Sequence, residues 1–218
     1  DTINTIVITG NEWTKTREII MAALPKSKTI VPDQGNYLYV ETIEKQIDTT
    51  KQNWVILHSN DPILVSNAVG LLNGIPEVIL DSLGNKIGNN RLRLFAVNKS
   101  RAFDYSDVSN MHLANLNFTY PSASKHYDYE MLTPFLVSYK YEYGVKPNKY
   151  AIRGFDVTYD ILLRLANAEN LEEAFATDIY TEYIENKFQY IVDSTKGYTN
   201  QAFYIMKYNE RLELEVVE

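Results

Sequence analysis

The chain has 218 residues, a net charge of −7, 45% hydrophobic and 22% charged residues, and no cysteine. That balance excludes a disordered chain, a disulfide scaffold and any thiolate-held zinc or iron–sulfur centre. No apolar stretch reaches the roughly 18–20 residues that span a bilayer, and the acidic balance, with pI ≈ 5.1, argues against a nucleic-acid partner.

The chain begins at Asp1 with no methionine and no signal-like segment, so we expect a processed product or an excised part of a longer protein. Thr5-Ile6-Val7-Ile8-Thr9 is a β-branched run closed by Gly10 and reads as a strand. Residues 14–24 carry helix formers with apolar spacing at Ile19, Ile20, Ala23 and Leu24, and Pro25 stops them. A short strand at 28–32 and a helix over 35–48 follow. Residues 53–59 form an apolar strand of the buried type, 62–73 a helix and 91–97 a further strand. Alternation of this kind predicts an α/β fold: an open, doubly wound, mainly parallel sheet with helices on both faces.

The rhythm changes near residue 100. A short helix is expected at 106–114 and a strand at 116–120. Helices are expected at 130–143 and 154–166, with a third helical patch over 171–186. The first of these places Leu132, Phe135, Leu136, Tyr139 and Tyr143 on one stripe. Strands at 187–192, 202–208 and 211–217 then give a tail of hairpin type.

No Walker loop and no GxGxxG turn is present, so no nucleotide cofactor is expected. His58, His112 and His126 lack the spacing of metal ligands, and no serine sits in a GxSxG elbow. No carboxylate pair stands out as an acid–base couple. We therefore expect no catalytic residue, no metal and no enzymatic activity. In open α/β sheets, ligands bind at the carboxyl ends of the strands. That rule selects three loops: Asn11-Glu12-Trp13, Ser59-Asn60-Asp61 and Asn98-Lys99-Ser100-Arg101. Asp61 before Pro62 is also ordinary helix-start grammar. Trp13 offers an aromatic platform.

The stretch Phe135–Leu165 reads FLVSYKYEYGVKPNKYAIRGFDVTYDILLRL. It resembles the late segment of type I periplasmic solute-binding proteins of the branched-chain amino-acid-binding kind. There a helix ending in "F…Y…YG" is followed by "P…YA…GYDA…L", and here the last motif is Gly154-Phe155-Asp156-Val157. Asn200-Gln201-Ala202-Phe203-Tyr204 is similar to the strands that end such proteins. The resemblance implies that 1–121 form a second lobe, that 122–186 are helices which in the family pack on the first lobe, and that 187–218 return to complete the second lobe. It implies a missing N-terminal lobe, or a second chain, covering residues 130–165. It further implies a periplasmic or cell-envelope setting, in which similar modules are fused to LysM repeats.

The resemblance also implies a small polar solute held without chemistry by Trp13, Glu12, Asn60 and Asn98. Trp13 matches the aromatic of the family's first loop. Asn98 stands where amino-acid binders of the family have a carboxylate for the ammonium group, and Asn60 stands where they have an aromatic. Glu12 is the nearby acid that could compensate. A domain that kept the fold, lost the ligand and serves as an interaction surface is the alternative.

Overall fold

The computed structural model describes residues 2–11, 14–127, 133–176, 179–193, 195, 197–209 and 211–217. Elements in the first part are β1 (Ile3–Thr9), α1 (Lys15–Ala23), β2 (Lys28–Ile30), α2 (Val40–Glu44), β3 (Gln52–His58) and α3 (Pro62–Gly74). They continue with β4 (Val78–Leu80), β5 (Lys86–Asn89), β6 (Leu92–Phe95), a 3-10 turn (Arg101–Asp104), α4 (Asn110–Asn115) and β7 (Thr119–Ser122). Then come α5 (Pro134–Tyr143), α6 (Lys149–Leu165), α7 (Leu171–Ala176), β8 (Thr181–Glu182), β9 (Lys187–Phe188), β10 (Tyr190–Asp193), β11 (Gly197–Asn200), β12 (Tyr204–Tyr208) and β13 (Leu214–Val216).

These elements divide into two compact units. One joins residues 1–121 to 205–218, and the other is 122–204. The first unit is built on a seven-stranded sheet in the order β13-β12-β7-β6-β3-β1-β2. Strands β2, β1, β3, β6 and β7 run parallel, with Ile6 opposite Val55 and Val55 opposite Leu94. β13 is antiparallel to β12. The α/β reading of the sequence, with a mostly parallel central sheet, describes this architecture.

Burial explains why these segments become strands. Ile6, Val7 and Ile8 are fully buried on successive rungs of β1, so both faces of that strand are covered. Leu64, Val65, Ala68, Val69 and Leu72 form the buried side of α3. Its start is fixed by Asp61, whose carboxylate accepts from the Ile63 and Leu64 amides, and by Pro62 in the first turn. Phe118 lies between Phe103 and Tyr120 in a stack with centroids 4.7 and 5.3 Å apart. At the amino ends of the strands, Asn53 forms a buried amide clamp. Its Oδ1 accepts from Asn4 Nδ2 at 2.7 Å and its Nδ2 donates to the Asn90 carbonyl at 2.6 Å.

In the second unit, α6 carries buried charge on its inner side. Asp156, fully buried, accepts from the backbone N–H groups of Ile184, Glu185 and Asn186 at 3.3, 2.9 and 2.9 Å. Four residues later, Asp160 pairs with Arg164 at 2.8 Å and accepts from the hydroxyls of Thr181 and Tyr183. Arg164 in turn donates to the Ile179 carbonyl and Thr181 Oγ1. The β8–β9 hairpin is thereby tied to the helix.

Several expectations from the sequence are corrected. The helix expected over 35–48 is confined to Val40–Glu44. Asp33 accepts from the amides of Gly35 and Tyr37, and Asn36 takes a left-handed φ of 63°, so a turn displaces the first helical residues. The helical patch over 171–186 ends at Ala176 and gives way to the hairpin that Asp156 and Asp160 hold. The helix at 106–114 is shorter and later, at Asn110–Asn115. The start of the helix expected at 130–143 lies outside the described residues, and the described part begins at Pro134. The β4–β5 hairpin was not anticipated. Its turn is made by Asp81, which binds the amides of Leu83 and Asn85, and by Gly84 at φ 82°. Strands β9, β10 and β11 lie in the second unit, and the chain joins the seven-stranded sheet again at β12.

Candidate functional site

In the order β2-β1-β3-β6, the winding direction reverses between β1 and β3. The crevice outside the carboxyl ends at such a point is the general ligand position of open α/β sheets. Here β1 ends at Thr9 and β3 at His58, which face each other in register. Thr9 is 1% exposed, and its Oγ1 has no hydrogen-bond partner among the described residues. Burial holds the His58 imidazole below its ordinary pKa.

The loops that follow these strands are laced to one another. Asn11, after β1, donates its amide to the Asp33 carbonyl in the loop after β2, at 3.0 Å. Asn36 of that same loop donates to Asp61 Oδ2, after β3, at 2.9 Å. Ser100, after β6, donates its hydroxyl hydrogen to the Ser59 carbonyl at 2.9 Å. Four loops thus form one hydrogen-bonded polar rim along the carboxyl edge.

Among the described residues, the carboxylates of Asp33 and Asp61 are committed to holding the rim. Asp61 Oδ1 caps α3, and its Oδ2 takes the Asn36 amide. Asp33 binds the Tyr37 amide, which does most to hold its carboxyl below the usual range, and then the Tyr39 hydroxyl and the Gly35 amide. Lys99 pairs with Asp104. Arg17 Nη1 donates to the Gly10 carbonyl at 3.3 Å.

Asn60 and Asn98, expected from the sequence, are exposed in the loops after β3 and β6, which are neighbours in the sheet. No side-chain hydrogen bond engages either amide among the described residues. Glu12 and Trp13 lie outside the described residues. Sequence reasoning missed the loop after β2, where Asp33 and Asn36 anchor the rim. The signal was present as Pro32-Asp33-Gln34-Gly35-Asn36, a turn-forming composition divided between the end of an expected strand and the start of an expected helix. The rim offers neutral donors and acceptors. Among the described residues no group of three acidic or imidazole side chains could hold a metal.

The second unit carries a different feature. A shallow groove of about 860 Å³ runs along α5 and α6, lined by Phe135, Tyr139, Tyr141, Tyr143, Gly154 and Phe155. Phe135 stacks on Phe155 at 4.1 Å, and Tyr141 is 90% exposed.

The parallel sheet with its switch point and the inserted second unit define a type I periplasmic binding protein-like fold. A solved structure shares it. The chain superposes on a branched-chain amino acid ABC transporter periplasmic ligand-binding protein from Burkholderia xenovorans with a TM-score of 0.56 at 9% identity, covering 99% of this chain and 58% of that one. It also matches the branched-chain amino-acid transporter substrate-binding protein LivJ from Streptococcus pneumoniae, solved in complex with isoleucine. That match has a TM-score of 0.47 and 14% identity, and covers 98% of this chain and 60% of that one. The chain therefore spans less than two thirds of either protein. No protein-family model and no curated protein matches it. Among the described residues no helix is long and apolar enough to cross a membrane.

Proposed function

We propose that this chain is the distal part of a bilobal, extracytoplasmic solute-binding-type domain that holds a small polar ligand without chemistry. The observation that carries this reading is the rim: four loops at the carboxyl edge are bonded into one surface at the topological switch point. A preorganised edge lowers the ordering cost of binding. Asn60 and Asn98 present uncommitted amides from adjacent loops, and Trp13 and Glu12 complete the set. A further lobe supplies the opposite wall, and the domain closes on the ligand by hinge motion. Titration calorimetry of the full-length protein with amino acids and small metabolites tests this. Saturable heat that weakens in Asn98→Ala supports the reading, and no heat with any compound overturns it.

The aromatic groove on α5 and α6 favours a second reading, an interaction domain of a cell-envelope protein, including a LysM-linked one, that binds no small ligand. Several tyrosines and leucines are exposed there, more than a solvated face requires. A stable complex burying more than ~1,000 Å² across residues 130–165 would support it.

A further inference from the structure

The β8–β9 hairpin grips the segments next to both joins between the two units. The chain passes from the first unit to the second at Pro121–Ser122 and returns at Tyr204–Ile205. On the outgoing side, Ser124 bridges Asn186, the Lys125 amide donates to the Glu185 carbonyl at 2.8 Å, and Asn186 Nδ2 donates to the Ala123 carbonyl at 3.1 Å. On the return side, Asn200 donates to the Lys187 carbonyl and accepts from the Gln189 amide, both at 2.9 Å. The Gln201 amide donates to the Gln189 carbonyl at 2.9 Å. Tyr204, 2% exposed, has the Lys187 ammonium 4.3 Å from its ring centre and the Lys125 ammonium 5.5 Å from it. A cation over a desolvated ring is held more strongly than one over an exposed ring. One of these lysines belongs to the hairpin and the other to the outgoing segment, so the Tyr204 ring ties the return to both.

The hairpin is itself fixed to α6. Asp156 accepts from the amides of Glu185 and Asn186, the two residues that hold 123–125. A carboxylate is costly to bury unless its oxygens are bonded, and its bonds to backbone amides are stronger than neutral ones. Farther along α6, Asp160 accepts from the Thr181 hydroxyl and Arg164 donates to the Ile179 carbonyl. Hinges absorb their rotation in a few residues flanked by rigid segments. We infer that the β8–β9 hairpin is a staple that makes both crossing segments one rigid piece with α6, so that bending between the units is confined to the joins Pro121–Ser122 and Tyr204–Ile205. This rests on the hinge motion of the solute-binding reading above, and it makes Asp156, Asn186 and Asn200 positioning residues for that motion.

Amide hydrogen exchange of the full-length protein without added ligand tests the staple, with a urea titration of each variant. Asn200→Ala cuts the return-side bonds at an exposed position, and Asp156→Asn removes one acceptor beneath the turn. We expect each variant to speed exchange about tenfold or more at both Lys125 and Gln201, with β1 and β3 unchanged. Faster exchange at one of the two amides alone shows that the crossings move independently and overturns the inference. Unchanged exchange at both overturns it, as does a uniform rise that includes β1 and β3 and follows a lower urea midpoint. If Asp156→Asn fails to fold, Asn200→Ala decides alone. No ligand enters this measurement, so a protein that binds none of the titrated compounds loses the solute-binding reading while the exchange result still judges the staple.

Discussion

Ser100 donates its hydroxyl hydrogen to the Ser59 carbonyl across 2.9 Å, joining the loop after β6 to the loop after β3. The bond ties together two segments 41 residues apart that present Asn98 and Asn60. Removing it in Ser100→Ala should cost about 1 kcal/mol of stability, the net worth of a partly buried neutral hydrogen bond. Urea denaturation measures this, and an unchanged midpoint would show that the loops hold their places without it.

Asn60 and Asn98 themselves should be dispensable for folding. Both are exposed, and their side chains make no hydrogen bond among the described residues. Alanine at either position should change stability by no more than about 0.5 kcal/mol. A larger loss in a thermal melt would assign them a structural rather than a ligand-facing role.

His58 should titrate below its ordinary value, because burial disfavours the imidazolium. The folded state then binds the proton less well than the unfolded state. The stabilising contribution is therefore complete above the unfolded pKa of about 6.5 and is lost as pH falls toward the folded one. Following the imidazole proton resonances by NMR against pH gives the midpoint directly. A midpoint at or above 6.5 contradicts the burial of this ring.

Asp160 and Arg164 form a buried ion pair, and each also holds the 179–183 segment. Asp160→Ala leaves the guanidinium buried beside Tyr190 without its carboxylate. Such a change should cost roughly 3–5 kcal/mol. Chemical denaturation should show that loss, with Asp160→Asn falling between the two because it keeps one acceptor.

Phe118 is fully buried in the stack with Phe103 and Tyr120, at the approach to β7. Phe118→Ala should cost about 3–5 kcal/mol through lost transfer energy and the cavity left behind. The expected readout is a lower denaturation midpoint with the cooperative transition retained.

The alternation of β1, β3 and β6 with α1 and α3 was legible because each strand is a short apolar run and each helix has a cap or a proline at its boundary. Asp61 and Pro62 marked the start of α3 by local chemistry alone. Segments decided by distant partners were not legible. Residues 181–186 were read as helical, yet Asp156 captures three of their amides from about 29 residues away, and no local signal encodes that. In the rim, the positional rule picked out the loops after β1, β3 and β6. The loop after β2 escaped it because Pro32 was read as the end of a strand and Asn36 as part of a helix start, which left Asp33 between them unread. Gly154-Phe155-Asp156-Val157 drew notice as a resemblance, and its aspartate proves to be the anchor of the following hairpin.

The sheet order places β7 beside β12, with the Tyr208 amide bonded to the Phe118 carbonyl at 3.2 Å. Residues 122–204 thus leave from one strand and come back on its neighbour, a lateral step of about 5 Å. To the sheet, the whole excursion counts as a very long hairpin loop. Its length and content can drift with little entropic cost to closure. A lineage could therefore trade that cassette for another while leaving the strand-end loops undisturbed.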